Sequence, residues 1–234
     1  MRCVGIDGCK YGWAVAWITS DSSNVGFELY TTLKNIPFQK TDIIWIDMPI
    51  GMPPVYAYPR QADTEARKLL GRRGATVFSV PARPALEHST YSEANAAHKQ
   101  LTDRGMSKQV WHLAPKMFEV EQFLSVYPEI NLWEAHPELV GAGLNDAPLM
   151  KRKKKIEGKT ERMELLRDYG YDITSSFEDA RRKYLKKEVA DDDLIDAALL
   201  AVAADSPECW KHSVPENPAN EIQAAMRIHY VKSF

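Results

Sequence analysis

From Leu194 to Val202 the chain reads Leu-Ile-Asp-Ala-Ala-Leu-Leu-Ala-Val, a helical stretch in which Asp196 is the only side chain that is not apolar. A helix apolar on every side has to be buried nearly all round. An ionised carboxylate inside it costs several kcal/mol unless it is paired, hydrogen-bonded or bound to a metal, so Asp196 requires a compensating partner. Asp192 and Asp193 stand four and three residues earlier, which puts one or both on the same helix face. Asp191 and Asp192 also suit the positive N-terminal end of this helix, predicted over 192–204. The apolar run Ala197 to Ala204 is far short of the roughly 20 residues that a membrane-spanning helix needs, and no membrane span is expected.

The layers that enclose such a helix are legible further upstream. Arg2 to Asp7, Gly12 to Ile18 and Val25 to Thr31 are rich in Val, Ile, Trp and Tyr and read as three strands. The glycines of Asp7-Gly8-Cys9-Lys10-Tyr11-Gly12 and the polar Ser20-Asp21-Ser22-Ser23-Asn24 are turn sequences, so both strand pairs should be antiparallel. After a short helix or turn at 33–38, Ile43-Ile44-Trp45-Ile46 reads as a strand buried on both faces. Helical spacing follows over Gln61 to Leu70 and Tyr91 to Leu124, separated by a loop from Gly71 to Pro84. Asn131 to Glu134 is a further short strand, a Gly-rich connection follows, and helices are expected over 159–169 and 177–187. No internal repeat or linker divides the chain, which predicts one α/β domain over 1–234 with a mixed sheet flanked by helices.

Acids fall at the ends of these strands: Asp7 on the first, Asp47 on the fourth and Glu134 on the last. In an open α/β sheet the carboxyl ends of neighbouring strands are where ligands bind. Asp7, Asp47, Glu134 and Asp196, with Asp192 or Asp193, are therefore the candidate catalytic acids. Gathered together they would repel one another unless a cation sat among them. Magnesium or manganese prefers such oxygen ligands, and two ions about 3.5–4 Å apart can drive in-line displacement at phosphorus.

Four segments carry a resemblance: Gly5-Ile6-Asp7-Gly8-Cys9 with Gly12-Trp13, Ile46-Asp47-Met48-Pro49-Ile50-Gly51, Glu134-Ala135-His136-Pro137-Glu138, and Asp192-Asp193-Leu194-Ile195-Asp196-Ala197. With Pro81-Ala82-Arg83 and the segment of Lys154, Lys155, Gly158 and Arg162, they make the chain resemble the predicted RNase H-like nucleases of domain of unknown function 429 (DUF429). It is similar, more distantly, to Holliday-junction resolvases. The resemblance implies an RNase H-like fold: a five-stranded mixed sheet, its first three strands antiparallel, helices on both faces, and a helical insertion over about 53–128 between strands four and five. It also implies a magnesium- or manganese-dependent nuclease whose metal ligands are Asp7, Asp47, Asp193 and Asp196. Asp193 and Asp196 match the Asp-x-x-Asp pair of the resolvases, and Asp47 stands where those enzymes carry a glutamate. Many resolvases act as dimers, so the resemblance allows a homodimer.

The net charge of −2 argues against a protein that coats nucleic acid by bulk electrostatics, so any nucleic-acid contact must be local. Lys10, Arg72, Arg83, Lys154, Lys155 and Arg162 are the candidate phosphate contacts, Arg as a fork and Lys as a point charge, with Arg83 and Lys155 favoured by the resemblance. Arg73 stands beside Arg72, and His136 could shuttle a proton near neutral pH. Trp13 and Trp45 read as core. The three cysteines contain no C-x-x-C pair, and Met1 leads straight into an apolar strand without a secretory signal pattern, which together predict a reducing, cytoplasmic setting. Two other functions compete: an ATP-binding phosphotransferase or ATPase of the actin and sugar-kinase type, and a non-catalytic binding protein on the same fold.

Overall fold

The computed structural model describes residues 1–19 and 23–232; Ser20, Asp21 and Ser22 of the second predicted turn lie outside the described residues. Strands β1 (Arg2–Gly8), β2 (Trp13–Thr19), β3 (Val25–Tyr30) and β4 (Ile43–Asp47) lead to the helices α1 (Gln61–Leu70), α2 (Arg83–Leu86), α3 (Tyr91–Thr102) and α4 (Lys108–Val126). Then come β5 (Leu132–Glu134), α5 (Pro137–Leu144), α6 (Ile156–Asp168), α7 (Thr174–Lys183), α8 (Asp191–Asp205), β6 (Lys211–Val214), α9 (Glu221–Ala225) and β7 (Ile228–Val231). The first five strands form one mixed sheet in the order β3-β2-β1-β4-β5. β1 pairs antiparallel with β2, and β2 with β3, while β1 with β4 and β4 with β5 run parallel.

Strand alternation sends the side chains of this sheet into separate cores. Val4, Ile6, Trp13, Val15, Ile44 and Ile46 pack against α4 on one face. Cys3, Ala14, Ala16, Ile18 and Trp45 pack against α8 on the other, joined by α5, α6 and α7. Both tryptophans are fully buried, as expected of core residues. The α8 face is built from small residues at the contact. Gly5 is the register partner of Ala16, and a Cβ on Gly5 would stand 1.9 Å from the Ala197 carbonyl oxygen and 2.4 Å from the Ala201 nitrogen. α8 therefore lies with its backbone directly on β1. It is enclosed along almost its whole length, from Leu194 to Ala204. Burying each of Leu194, Ile195, Leu199, Leu200 and Val202 stabilises by about 1.5–3 kcal/mol, which together outweighs the several kcal/mol cost of one poorly paired carboxylate in the same helix.

The structure departs from the sequence reading in several places. The helix expected over Tyr91 to Leu124 is two helices, because Asp103 takes a left-handed conformation (φ 58°) and ends α3. The expected loop from Gly71 to Pro84 contains a 3-10 turn at Gly71–Thr76 and the start of α2. The Gly-rich connection after Glu134 is the helix α5, and the predicted helices over 159–169 and 177–187 begin three residues earlier, at Ile156 and Thr174. The hairpin of β6 and β7 forms a second, two-stranded sheet. It packs Val214, Ile228 and Tyr230 against α1 and Leu139 of α5. No helix among the described residues is long and apolar enough to cross a membrane.

Candidate functional site

Asp7 and Asp47 are direct register partners on the adjacent parallel strands β1 and β4, so their side chains leave the same face of the sheet side by side. That face is the one on which α8 lies. Because Gly5, two residues before Asp7, offers no side chain, α8 settles close enough to bring Asp196 into the same group. Burial raises the Asp7 carboxyl well above its usual range, and Asp47, Asp196 and Asp193 raise it further. Asp196 is pushed up to about 6, first by burial and against the pull of Lys153, and Asp47 is raised by burial as well. The cleft that contains these residues has a volume of about 430 Å³. A larger cavity, of about 510 Å³, opens between α6 and α7 and contains none of them.

The compensating partner of Asp196 is a lysine. Lys153 Nζ stands 2.5 Å from Asp196 Oδ2 and 3.9 Å from Asp192 Oδ2. Against the cost of burial, Asp196, Asp7 and Asp47 hold this ammonium above its ordinary range. The carboxylates of Asp7 and Asp47 accept no hydrogen bond and make no ion pair among the described residues; burial and the charges around them act on both. On the helix, Asp193 Oδ2 accepts the Ala190 N–H at 2.9 Å as a cap while its charge also bears on Asp7. Asp192 turns toward Lys153.

Glu134 does not join this group. Its register partner is Ile46, so it projects to the opposite face from Asp47. There Arg60 Nη2 donates to both of its carboxylate oxygens, at 2.8 and 2.7 Å, and the Ile50 N–H donates at 2.6 Å. Burial draws the Glu134 carboxyl up to about 7 against the Arg60 guanidinium that favours its charge. The fully buried Arg60 also stands 3.5 Å from Asp63, making this an ion-pair cluster in which Glu134 and Asp63 form part of the cleft wall.

The candidate cations divide in the same way. Lys154 lines the cleft, while Lys10, Arg72 and Lys155 are exposed and make no ion pair among the described residues. Arg162 is not a phosphate contact: it is buried, its Nη2 donates to Glu138 Oε1 at 2.7 Å, and its Nη1 reaches the Gly158 and Lys151 carbonyls at 2.9 and 3.4 Å. It thereby holds the loop that carries Lys153. Arg83 is turned onto Glu121 and Glu87, outside the cleft, and Arg73 reaches Glu138 at 3.2 Å. His136 lines the cleft with its Nε2 against the Thr76 carbonyl at 3.2 Å. Lys153 was not among the residues that sequence reasoning singled out. Within the five successive cations Lys151-Arg152-Lys153-Lys154-Lys155, nothing in the residue types says which one turns inward. The signal lies downstream in Gly158, where a Cβ would meet the Arg152 carbonyl at 2.1 Å, so the loop closes backbone to backbone on α6.

These donors suit a hard divalent cation: they are oxygens only, several are buried, and their negative charge exceeds what Lys153 offsets. Among the described residues, however, no three His, Cys, Asp or Glu side chains are already gathered to hold an ion. Asp196 is turned toward Lys153 instead. The family model described as Protein of unknown function (DUF429) matches residues 5–220. No curated protein and no solved structure matches the chain.

Proposed function

The chain belongs to the DUF429 family, and within it we propose that this protein is a divalent-metal-dependent phosphodiesterase acting on nucleic acid, built on an RNase H-like fold. The observation that carries the reading is the pair Asp7 and Asp47, carboxylates on paired strand ends with no hydrogen bond or ion pair among the described residues, with Asp196 brought beside them by α8. The sheet order, three antiparallel strands followed by two parallel ones, supports the fold assignment. Asp7, Asp47 and Asp196, with Asp193 behind them, would hold magnesium or manganese. Bound there, the ion supplies charge neutralisation and Lewis acidity for displacement at a phosphodiester.

The chain's own residues do the rest. A phosphate approaching the cleft meets the aspartates that line it, among them Asp7, Asp47, Asp192, Asp193 and Asp196, whose repulsion has to be offset before it can bind. Lys154 at the rim contributes a point charge toward it. His136 stands on the cleft wall with its Nε2 3.2 Å from the Thr76 carbonyl, and its Nδ1 is buried without a hydrogen-bond partner among the described residues. Glu134 and Arg60 keep the floor rigid and take no part in the chemistry.

The test is calorimetric binding of manganese and magnesium to the wild type and to the double variant Asp7→Asn/Asp196→Asn, with cleavage of DNA, RNA and branched substrates in the same buffers. Metal binding and cleavage should be lost together. Cleavage that survives in the double variant, or a wild type that ignores metal, would sink the reading. ATP hydrolysis without nucleic-acid cleavage would redirect it to phosphotransfer.

A further inference from the structure

The ammonium of Lys153 occupies the position where the carboxylate cluster needs positive charge. It is within 2.5 Å of Asp196 and 3.9 Å of Asp192, and its charge bears on Asp7 and Asp47 as well. The lysine is not locked in. Its side chain keeps 34 % of its exposure, it sits at the mouth of the cleft next to Lys154, and its other end is fixed by the packed turn at Gly158 and by Arg162 on the Lys151 carbonyl. A flexible stem anchored at the rim lets the charged head exchange between the aspartates and the open cleft.

We infer that Lys153 is a tethered counter-ion that a divalent metal displaces from Asp196, and that the released ammonium then binds the phosphate of the substrate. This rests on the metal-dependent reading above. A divalent ion and the ammonium seek the same Asp196 oxygen, so each weakens the other's hold. Lys116 is another cation coupled to Asp7 by charge, but its Nζ is committed to the Gly12 carbonyl and the Trp13 ring, so Lys153 is the exchangeable one. Displacement places a mobile positive charge at the cleft only after metal has entered. Metal and phosphodiester should therefore bind cooperatively, each raising the affinity for the other by the same factor. Without metal, Lys153 neutralises its own carboxylates and is withheld from phosphate.

The experiment compares metal binding by calorimetry in the wild type, Lys153→Met and Lys153→Arg, with dimethyl phosphate as an uncleaved phosphodiester probe. Lys153→Met should bind magnesium about tenfold more tightly, the factor that about 1.4 kcal/mol of lost competition corresponds to, and should lose the mutual enhancement between metal and dimethyl phosphate. Lys153→Arg should keep the weaker affinity. Should Lys153→Met fail to fold, the lysine ammonium is followed by nitrogen NMR in the wild type. A resonance protected from exchange is expected without metal, and it should disappear or shift as magnesium saturates. Equal metal affinities in wild type and Lys153→Met, or an ammonium signal unchanged at saturating magnesium, overturn the displacement and leave the metal centre standing. Absence of metal binding in every variant overturns the metal centre itself and the displacement with it.

Discussion

At a strand end an acid faces one of two ways, and that parity separates Glu134 from Asp7 and Asp47. A residue-by-residue reading that counts acids at strand ends cannot see it, because the register of β5 against β4 is a long-range property. The consequence is a difference in what each substitution removes. Glu134→Gln leaves the buried Arg60 with only the longer contact to Asp63, and breaking such a buried pair costs about 3–5 kcal/mol. Its denaturant midpoint should fall accordingly while its magnesium affinity stays at the wild-type value. Asp7→Asn should do the reverse, losing metal affinity at little cost in stability, since it removes charge repulsion. A midpoint for Glu134→Gln equal to the wild type would contradict the ion-pair assignment. Thiol chemistry is a second local test. Burial pushes the Cys3 thiol up to about 12, with Asp205 adding to it, and Cys9 is also raised by burial, whereas Cys209 is exposed. Only the thiolate reacts readily, so a disulfide reagent should titrate Cys209 alone in the native protein and all three cysteines after denaturation.

Among the elements, α8 and the strands β1 to β4 were legible because their patterns are local: an apolar run, alternation, and turn residues between them. α5 was not, since Pro-Glu-Leu-Val-Gly-Ala-Gly-Leu reads as a loop. Its glycines serve packing instead. A Cβ on Gly143 would come 1.6 Å from the Val231 carbonyl, and one on Gly141 2.6 Å from a Leu149 methyl, so the helix needs them for close approach to β7 and to the chain after it. Nothing in the local sequence distinguishes these two uses of glycine. Gly5 is the same kind of residue in β1, and it sets the spacing between the acid-bearing strand and the acid-bearing helix. Gly5→Ala meets backbone that cannot move aside, and overpacking costs about 1–3 kcal/mol, occasionally more. Thermal unfolding should show that loss. Surviving folded protein should also bind magnesium less well, because Asp196 is carried away from Asp7; unchanged metal affinity in a destabilised Gly5→Ala protein would dissociate the two effects.

For the molecule as a whole, ionisation ties stability to pH through groups that do not line the cleft. Burial lowers the pKa of His98, against the hydrogen bond to the Arg104 carbonyl, and it lowers that of His229. A histidine held neutral in the fold contributes stability that is complete above its unfolded value of 6.5 and is lost as pH falls through the lower folded value. The advantage of the wild type over His98→Gln, measured by urea unfolding, should shrink between about pH 7.5 and about pH 5; a constant advantage would mean that His98 does not titrate on unfolding. The composition of the candidate site was readable in part at this scale: Asp196 announced a missing partner through its apolar neighbours, but that Lys153 supplies it depends on a contact across 43 residues.

The seating of α8 on β1 also has a meaning in time. Cys3 at the start of β1 reaches Asp205 at the end of α8 across 202 residues. A ribosome delivers the strand well before the helix that covers it. Until α8 emerges, the small-residue face of β1 and β2, Gly5, Ala14 and Ala16 together, stands without its lid. Pairings this remote in sequence are slow to form and leave nascent chains prone to association. The carboxylates beside that face, which Asp196 joins only when α8 arrives, would meanwhile hold the growing chain apart from its copies by their charge.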